Sequence, residues 1–156
     1  MHARLSFVKA APDGMTALGE LRTLLANGAL SPQLAELVYL RVSQINACAY
    51  CIDAHFHALV ADGVKPEKLA LLQVWREAAA LFSKQEQGAL AWTETVTRIK
   101  HGVSDAEFEA ASASFSEAEL AELTFAIGLM NAYNRLAISF RSPPESVRRL
   151  STTLSA

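Results

Sequence analysis

Proline placement constrains this chain more than any other feature. The five prolines, Pro12, Pro32, Pro66, Pro143 and Pro144, all fall where a helix could begin or just after one could end. A residue with fixed φ and no N–H is tolerated there but breaks a helix interior. None interrupts a periodic segment. Alternating apolar and polar runs rich in β-branched residues are missing, so no strand is expected. The predicted fold class is all-α.

The capping residues divide the chain further. The sequence predicts a first helix from about Thr16 to Ala26, stopped by Asn27-Gly28, and a second opened by Ser31-Pro32, with Asn46 as a break and new cap. A third is expected from about Ala47 to Asp62, ended by Gly63, which suits a left-handed stop. Pro66 starts a fourth through Leu69, Leu72 and Trp75 towards Ala80, and Ser83 caps a fifth over about Lys84 to Lys100, closed by His101-Gly102. Ser104 with Glu107 and Ser116 with Glu119 are S-x-x-E capping boxes, which open a short helix and a long terminal one over about 117–141. The tail beyond Pro143-Pro144 is expected to add a turn or two or to stay loose. Six to seven helices over 1–156 make a single compact domain.

Composition narrows the function. The chain has 156 residues, 51% hydrophobic and 19% charged, with a formal net charge of −2 and two cysteines. The charged share lies below the average of about 25%, which excludes disorder. The Lys and Arg residues are scattered, so nucleic acid is not an expected partner. Two cysteines cannot staple a small secreted domain. The start, MHARLSFVKAAPDG, does not read as a signal peptide, because Lys9 interrupts a short apolar stretch. Leu123 to Phe140, the most apolar segment, holds Asn131, Asn134 and Arg135 and falls short of a membrane span. A soluble cytoplasmic protein is expected, and so apolar a chain points to an oligomer.

The chemistry concentrates in NACAYCIDAHFHAL, where Cys48 and Cys51 form a C-x-x-C pair. On a helix, Cys51 lies about 60° from Cys48 and His55 within about 20° of it, so the three share one stripe bordered by Ile52, Phe56 and Leu59. A half-buried thiol with an imidazole one turn away favours thiolate, as does a nearby helix N-terminus. Zinc would need four converging ligands, yet His57 falls about 180° round the helix from Cys48. A three-ligand site would have to borrow His2, His101 or a carboxylate, so no metal is expected. Thioredoxin-like chemistry uses a βαβ frame that is missing here. What remains is a dithiol redox site on an all-helical fold.

Glu36 stands twelve residues before Cys48, followed by Cys48-Ala49-Tyr50-Cys51, His55 and Gly63. With the flanking ELVYLRVSQINACAYCIDAHFHALVADG and the later FAIGLMNAYNRLAISF, this resembles the alkylhydroperoxidase AhpD-like branch of the carboxymuconolactone decarboxylase family. The likeness covers most of the chain and is strongest over about 31–63, the core redox helix pair. It implies an antioxidant peroxidase with peroxiredoxin activity, or a disulfide reductase. Cys51 would be oxidised by a hydroperoxide and resolved by Cys48, with His55 and Glu36 relaying protons. It also implies no bound cofactor, a lipoyl group on a partner protein or another dithiol as external reductant, and assembly as a trimer or hexamer. The best-known peroxidases of the family carry histidine where this chain has Tyr50, which can donate a hydrogen bond but is no base at neutral pH.

Two other readings stay open. One is a carboxymuconolactone-type decarboxylase, whose members generally lack the C-x-x-C pair. The other is a non-enzymatic helical redox-sensing or assembly protein. Taken singly, a buried cysteine is most often a small apolar residue. Glu36 alone would be a solvated carboxylate pairing with Arg41 or another charge. Trp75 and Trp92 are expected as core or interface anchors, His57 as a surface or interface histidine, and Asn134-Arg135 as an exposed pair or a contact between subunits.

Overall fold

A computed structural model describes residues 3–153, and His2 lies outside them. The helices run α1 (Phe7–Ala10), α2 (Pro12–Ala26), α3 (Pro32–Ile45), α4 (Ala49–Ala61), α5 (Pro66–Ala70), α6 (Lys84–Thr97), α7 (Asp105–Ser112), α8 (Glu117–Ser139) and α9 (Glu145–Thr153), with no strand among the described residues. The all-α class therefore holds. Besides the six or seven helices expected, the single turn α1 precedes α2, and the tail forms α9. No helix among the described residues is long and apolar enough to cross a membrane.

Local chemistry explains most boundaries. Ser31 caps α3, its Oγ accepting from the Leu34 N–H at 3.2 Å, with Pro32 in the first turn. Both expected capping boxes form, and Ser83 with Glu86 completes a third at the start of α6. α2 begins at Pro12 rather than Thr16, and α6 ends at Thr97 rather than Lys100.

The segment after Pro66 differs from the single helix expected. α5 stops at Ala70 and gives way to 3₁₀ turns over Leu72–Val74 and Ala79–Leu81. The cause lies in the spacing of its inward residues. Leu69, Leu72, Trp75 and Ala78 all pack against one cluster and recur every three positions. A 3₁₀ turn keeps such residues in register, whereas an α-helix rotates them apart.

α3 is the central element and packs against α4, α6 and α8. Leu34, Ala35, Val38, Tyr39 and Val42 join one core cluster with Trp92 of α6 and Leu123, Ile127 and Met130 of α8. Leu37 and Leu40 join a second with Leu59 of α4, Leu72, Trp75 and Leu90. Burying α3 on nearly every side fixes the height and rotation of the turn that follows it. α9 docks on α4 through Asp53, which accepts from the Ser146 N–H at 3.0 Å and from its Oγ at 2.5 Å.

Candidate functional site

The site begins at the α3–α4 turn. The Ala47 N–H donates to the Gln44 carbonyl at 3.2 Å and the Cys48 N–H to the Ser43 carbonyl at 2.9 Å, with Ala47 left-handed at φ 55°. These two bonds are the Schellman closure of a helix C-terminus. Asn46 therefore ends α3 and does not start α4. Cys48 itself is the N-cap of α4, and its Sγ accepts from the Cys51 N–H at 3.4 Å. The expected start at Ala47 shifts to Ala49 because the chain must first reverse through the left-handed residue. Cys48 thus meets the positive end of α4 more directly than a residue inside the helix would.

Cys48 and Cys51 are joined as a disulfide with Cα atoms 5.4 Å apart, an ordinary separation for such a link. Both are buried, at 1% and 4% exposure, and pack against Ala137 of α8. His55, 6% exposed, lies one turn beyond Cys51 on the same face of α4. Its Nδ1 sits 2.6 Å from Glu36 Oε2. With Glu36 ionised, that nitrogen carries the proton, which makes Nε2 the basic position of the neutral ring.

Glu36 is shared between two partners, for its Oε1 also lies 3.4 Å from Arg22 Nη2 on α2. Burial raises the Glu36 pKa, but the hydrogen bond and charge of His55 and the Arg22 guanidinium outweigh it, holding the carboxyl below its ordinary value. The Tyr39 ring lies 5.4 Å from the His55 ring, tilted by 45°. Burial pushes the Tyr39 hydroxyl up, and the charges of Glu36 and Tyr133 add to that against Arg22. Tyr39 and Arg22 are site residues that the sequence reading did not single out. Tyr39 carried a signal, since three residues from Glu36 is one face of a helix. Arg22 sits in a different helix and carried none.

The pairing suggested between Glu36 and Arg41 does not form. Five residues apart, they point about 140° from each other round α3. Arg41 instead donates to Glu94 Oε1 from Nε at 3.0 Å and Nη2 at 2.5 Å, and Trp75 Nε1 donates to the same oxygen at 3.1 Å. Trp92 Nε1 donates to Thr124 Oγ1 at 3.0 Å, and both tryptophans are buried.

Asn134 is neither exposed nor set apart from the core. It is fully buried, and its amide braces the cysteine turn. Asn46 Nδ2 donates to the side-chain oxygens of Asn131 (2.8 Å) and Asn134 (3.0 Å), while Asn134 Nδ2 donates to Ser43 Oγ at 3.1 Å. Arg135 alone faces outward. The signal missed was a pair of asparagines three apart on an apolar helix, which need buried partners.

His57 lies on the other side of α4, largely exposed, with Nε2 3.2 Å from Ser146 Oγ. It therefore does not converge with the cysteines. His101 lines a separate depression beside Arg98 and Lys100. Among the described residues no group of three or more His, Cys, Asp or Glu could hold a metal ion. Tyr50 is 38% exposed. A distinct apolar groove of about 990 Å³ runs between α2, α6, α7 and α8, lined by residues including Leu21, Trp92, Phe108 and Phe125.

The model of the carboxymuconolactone decarboxylase family matches residues 12–95, more than half of the chain. A protein of unknown function from Agrobacterium tumefaciens, proposed as an AhpD antioxidant defence protein, superposes with a TM-score of 0.86 and 35% identity. The match covers 92% of this chain and 98% of that one. The uncharacterized protein YdfG of Bacillus subtilis is 29% identical over 140 residues, 89% of this chain and 95% of its own. The debrominase Bmp8, solved with 2,3,4-tribromopyrrole, shares the fold at a TM-score of 0.79 and 18% identity, over 94% of this chain and 78% of its own.

Proposed function

Because the chain belongs to the carboxymuconolactone decarboxylase family, we propose that it is an AhpD-like antioxidant enzyme, a thiol-dependent peroxidase or disulfide reductase working through Cys48 and Cys51. One observation carries the reading. The linked cysteines share a buried face of α4 with His55, whose other side is held by Glu36. A debrominase shares the fold, so the reading rests on this dithiol and its proton relay and not on the architecture.

In the reduced enzyme His55 takes the Cys51 thiol proton, and the resulting thiolate attacks the outer oxygen of a hydroperoxide. The O–O bond breaks, Cys51 becomes a sulfenic acid, and His55 gives a proton to the departing alkoxide, which leaves as alcohol. Glu36 stabilises the imidazole while it holds charge. The Cys48 thiolate, favoured by the helix N-terminus, then attacks the Cys51 sulfur. Water leaves with a proton returned through His55, and the disulfide forms before further oxidation of the sulfenic acid. An external dithiol, lipoyl or another, reduces the pair and is itself oxidised. No bound cofactor takes part, and a reducing cytoplasm suits the cycle.

A lactone decarboxylase has no step that uses a vicinal dithiol. A redox sensor would form the same disulfide without turnover, so repeated cycles with dihydrolipoamide separate it from an enzyme. We also propose that a second copy of the chain covers the apolar groove, within a trimer or hexamer. The direct chemical test is Cys48→Ser, which should trap a dimedone-reactive sulfenic acid on Cys51 after one equivalent of peroxide. A variant that forms no dimedone adduct at Cys51 would contradict the assignment.

A further inference from the structure

We propose that Arg22 is a positioning residue for the Glu36–His55 pair, reaching from α2 to hold the carboxylate from the side away from the imidazole. The inference rests on the proposed peroxidase chemistry and extends it to a helix that contributes no thiol or base.

The geometry is a three-helix bridge. Glu36 of α3 places Oε2 2.6 Å from His55 Nδ1 of α4 and Oε1 3.4 Å from Arg22 Nη2 of α2. The terminal torsion of a glutamate is broad and roughly two-fold, so one contact leaves the carboxylate free to rock about its bond to His55. A second contact on the other oxygen removes that freedom. The groups facing Glu36 are Tyr39 on its own helix, His55 from α4 and Arg22 from α2, and the α8 residue Tyr133 acts on Tyr39. Arg22 is the permanent cation among them. Once His55 has passed its proton to the leaving alkoxide and is neutral, Arg22 is the cation that remains against Glu36 and keeps it turned toward Nδ1.

Exposure separates the two roles. The Glu36 side chain is 17% exposed and that of Arg22 53%. An arginine so open to solvent supports little packing, which makes its replacement a test of charge and orientation and not of folding. Its screened position also sets the size of the effect.

The test compares Arg22→Gln and Arg22→Lys with the wild type. In the oxidised, full-length protein, the Glu36 carboxyl is followed by carbon-13 NMR against pH. In the reduced protein, peroxide-driven thiol loss is followed over the same range. Arg22→Gln should move the Glu36 titration to higher pH and slow thiol loss about two- to fivefold near pH 5, converging with the wild type near pH 8. Arg22→Lys should recover most of both. High salt on the wild type should move the Glu36 titration the same way, whether or not the glutamine variant folds. An unmoved Glu36 titration in the variant or in salt, or a rate loss equal at all pH values, would overturn the assignment. Thiols inert to peroxide alongside a Glu36 titration that moves as expected would instead sink the peroxidase reading and leave Arg22 in its role.

Discussion

At the residue scale, Glu36 shows how its neighbours set the chemistry of a single group. Burial alone would keep its carboxyl protonated to higher pH, yet His55 and Arg22 reverse the sign. Its folded pKa therefore lies below the ordinary 4.5. The stabilisation this gives is complete above the unfolded value and is lost as pH falls through the lower folded one. Replacing Glu36 by Gln should flatten the acid limb of stability, measured as urea midpoints from about pH 3 to pH 7. The same variant should slow peroxide-driven disulfide formation roughly tenfold or more at neutral pH, since His55 loses the carboxylate that orients and supports it. A wild-type rate would remove Glu36 from the relay. The spacing of Glu36, Cys48, Cys51 and His55 made these residues readable in the sequence. Arg22 was not, because only the crossing of α2 over α3 brings it within reach, and no local pattern encodes that crossing.

At the scale of the element, local rules succeeded where a boundary depends on neighbouring residues. Ser31-Pro32, Ser104 with Glu107 and Ser116 with Glu119 each begin a helix where their side chains reach back to the backbone. They failed where tertiary packing chose between two local options. The three-residue recurrence of Leu69, Leu72, Trp75 and Ala78 was compatible with one long helix until the second core cluster required all four on one side. The α3–α4 turn failed similarly, because no glycine marks the left-handed position that Ala47 fills. That position yields a prediction. Ala47→Gly should relieve the Cβ conflict and, after the entropy of the more flexible unfolded chain, stabilise the protein by about 0.5–1 kcal/mol. Chemical denaturation of the oxidised protein reads it, and a loss of stability would mean that the Ala47 methyl contributes packing beyond its backbone cost. Asn134 belongs to this scale too, as the side chain through which α8 holds the turn carrying Cys48.

At the scale of the whole molecule, the high apolar fraction has two destinations. Two core clusters enclose α3 on opposite sides, and the groove along α8 leaves Phe125 and Phe108 at 61% and 53% exposure. Apolar surface of that kind usually marks an interaction site. Light scattering should give a trimer or hexamer, and Phe125→Glu should shift it toward smaller species, because a charge placed in a closed apolar contact is costly. A wild-type monomer would contradict the proposed second copy. The central claim is that Cys48 and Cys51 are a working dithiol, and intact mass tests it most directly. The protein is reduced, freed of reductant and given one equivalent of hydroperoxide, and alkylatable thiols are then counted. Both thiols should disappear together as one intrachain disulfide, and dihydrolipoamide should restore them. Two thiols still free after the peroxide is added would contradict it.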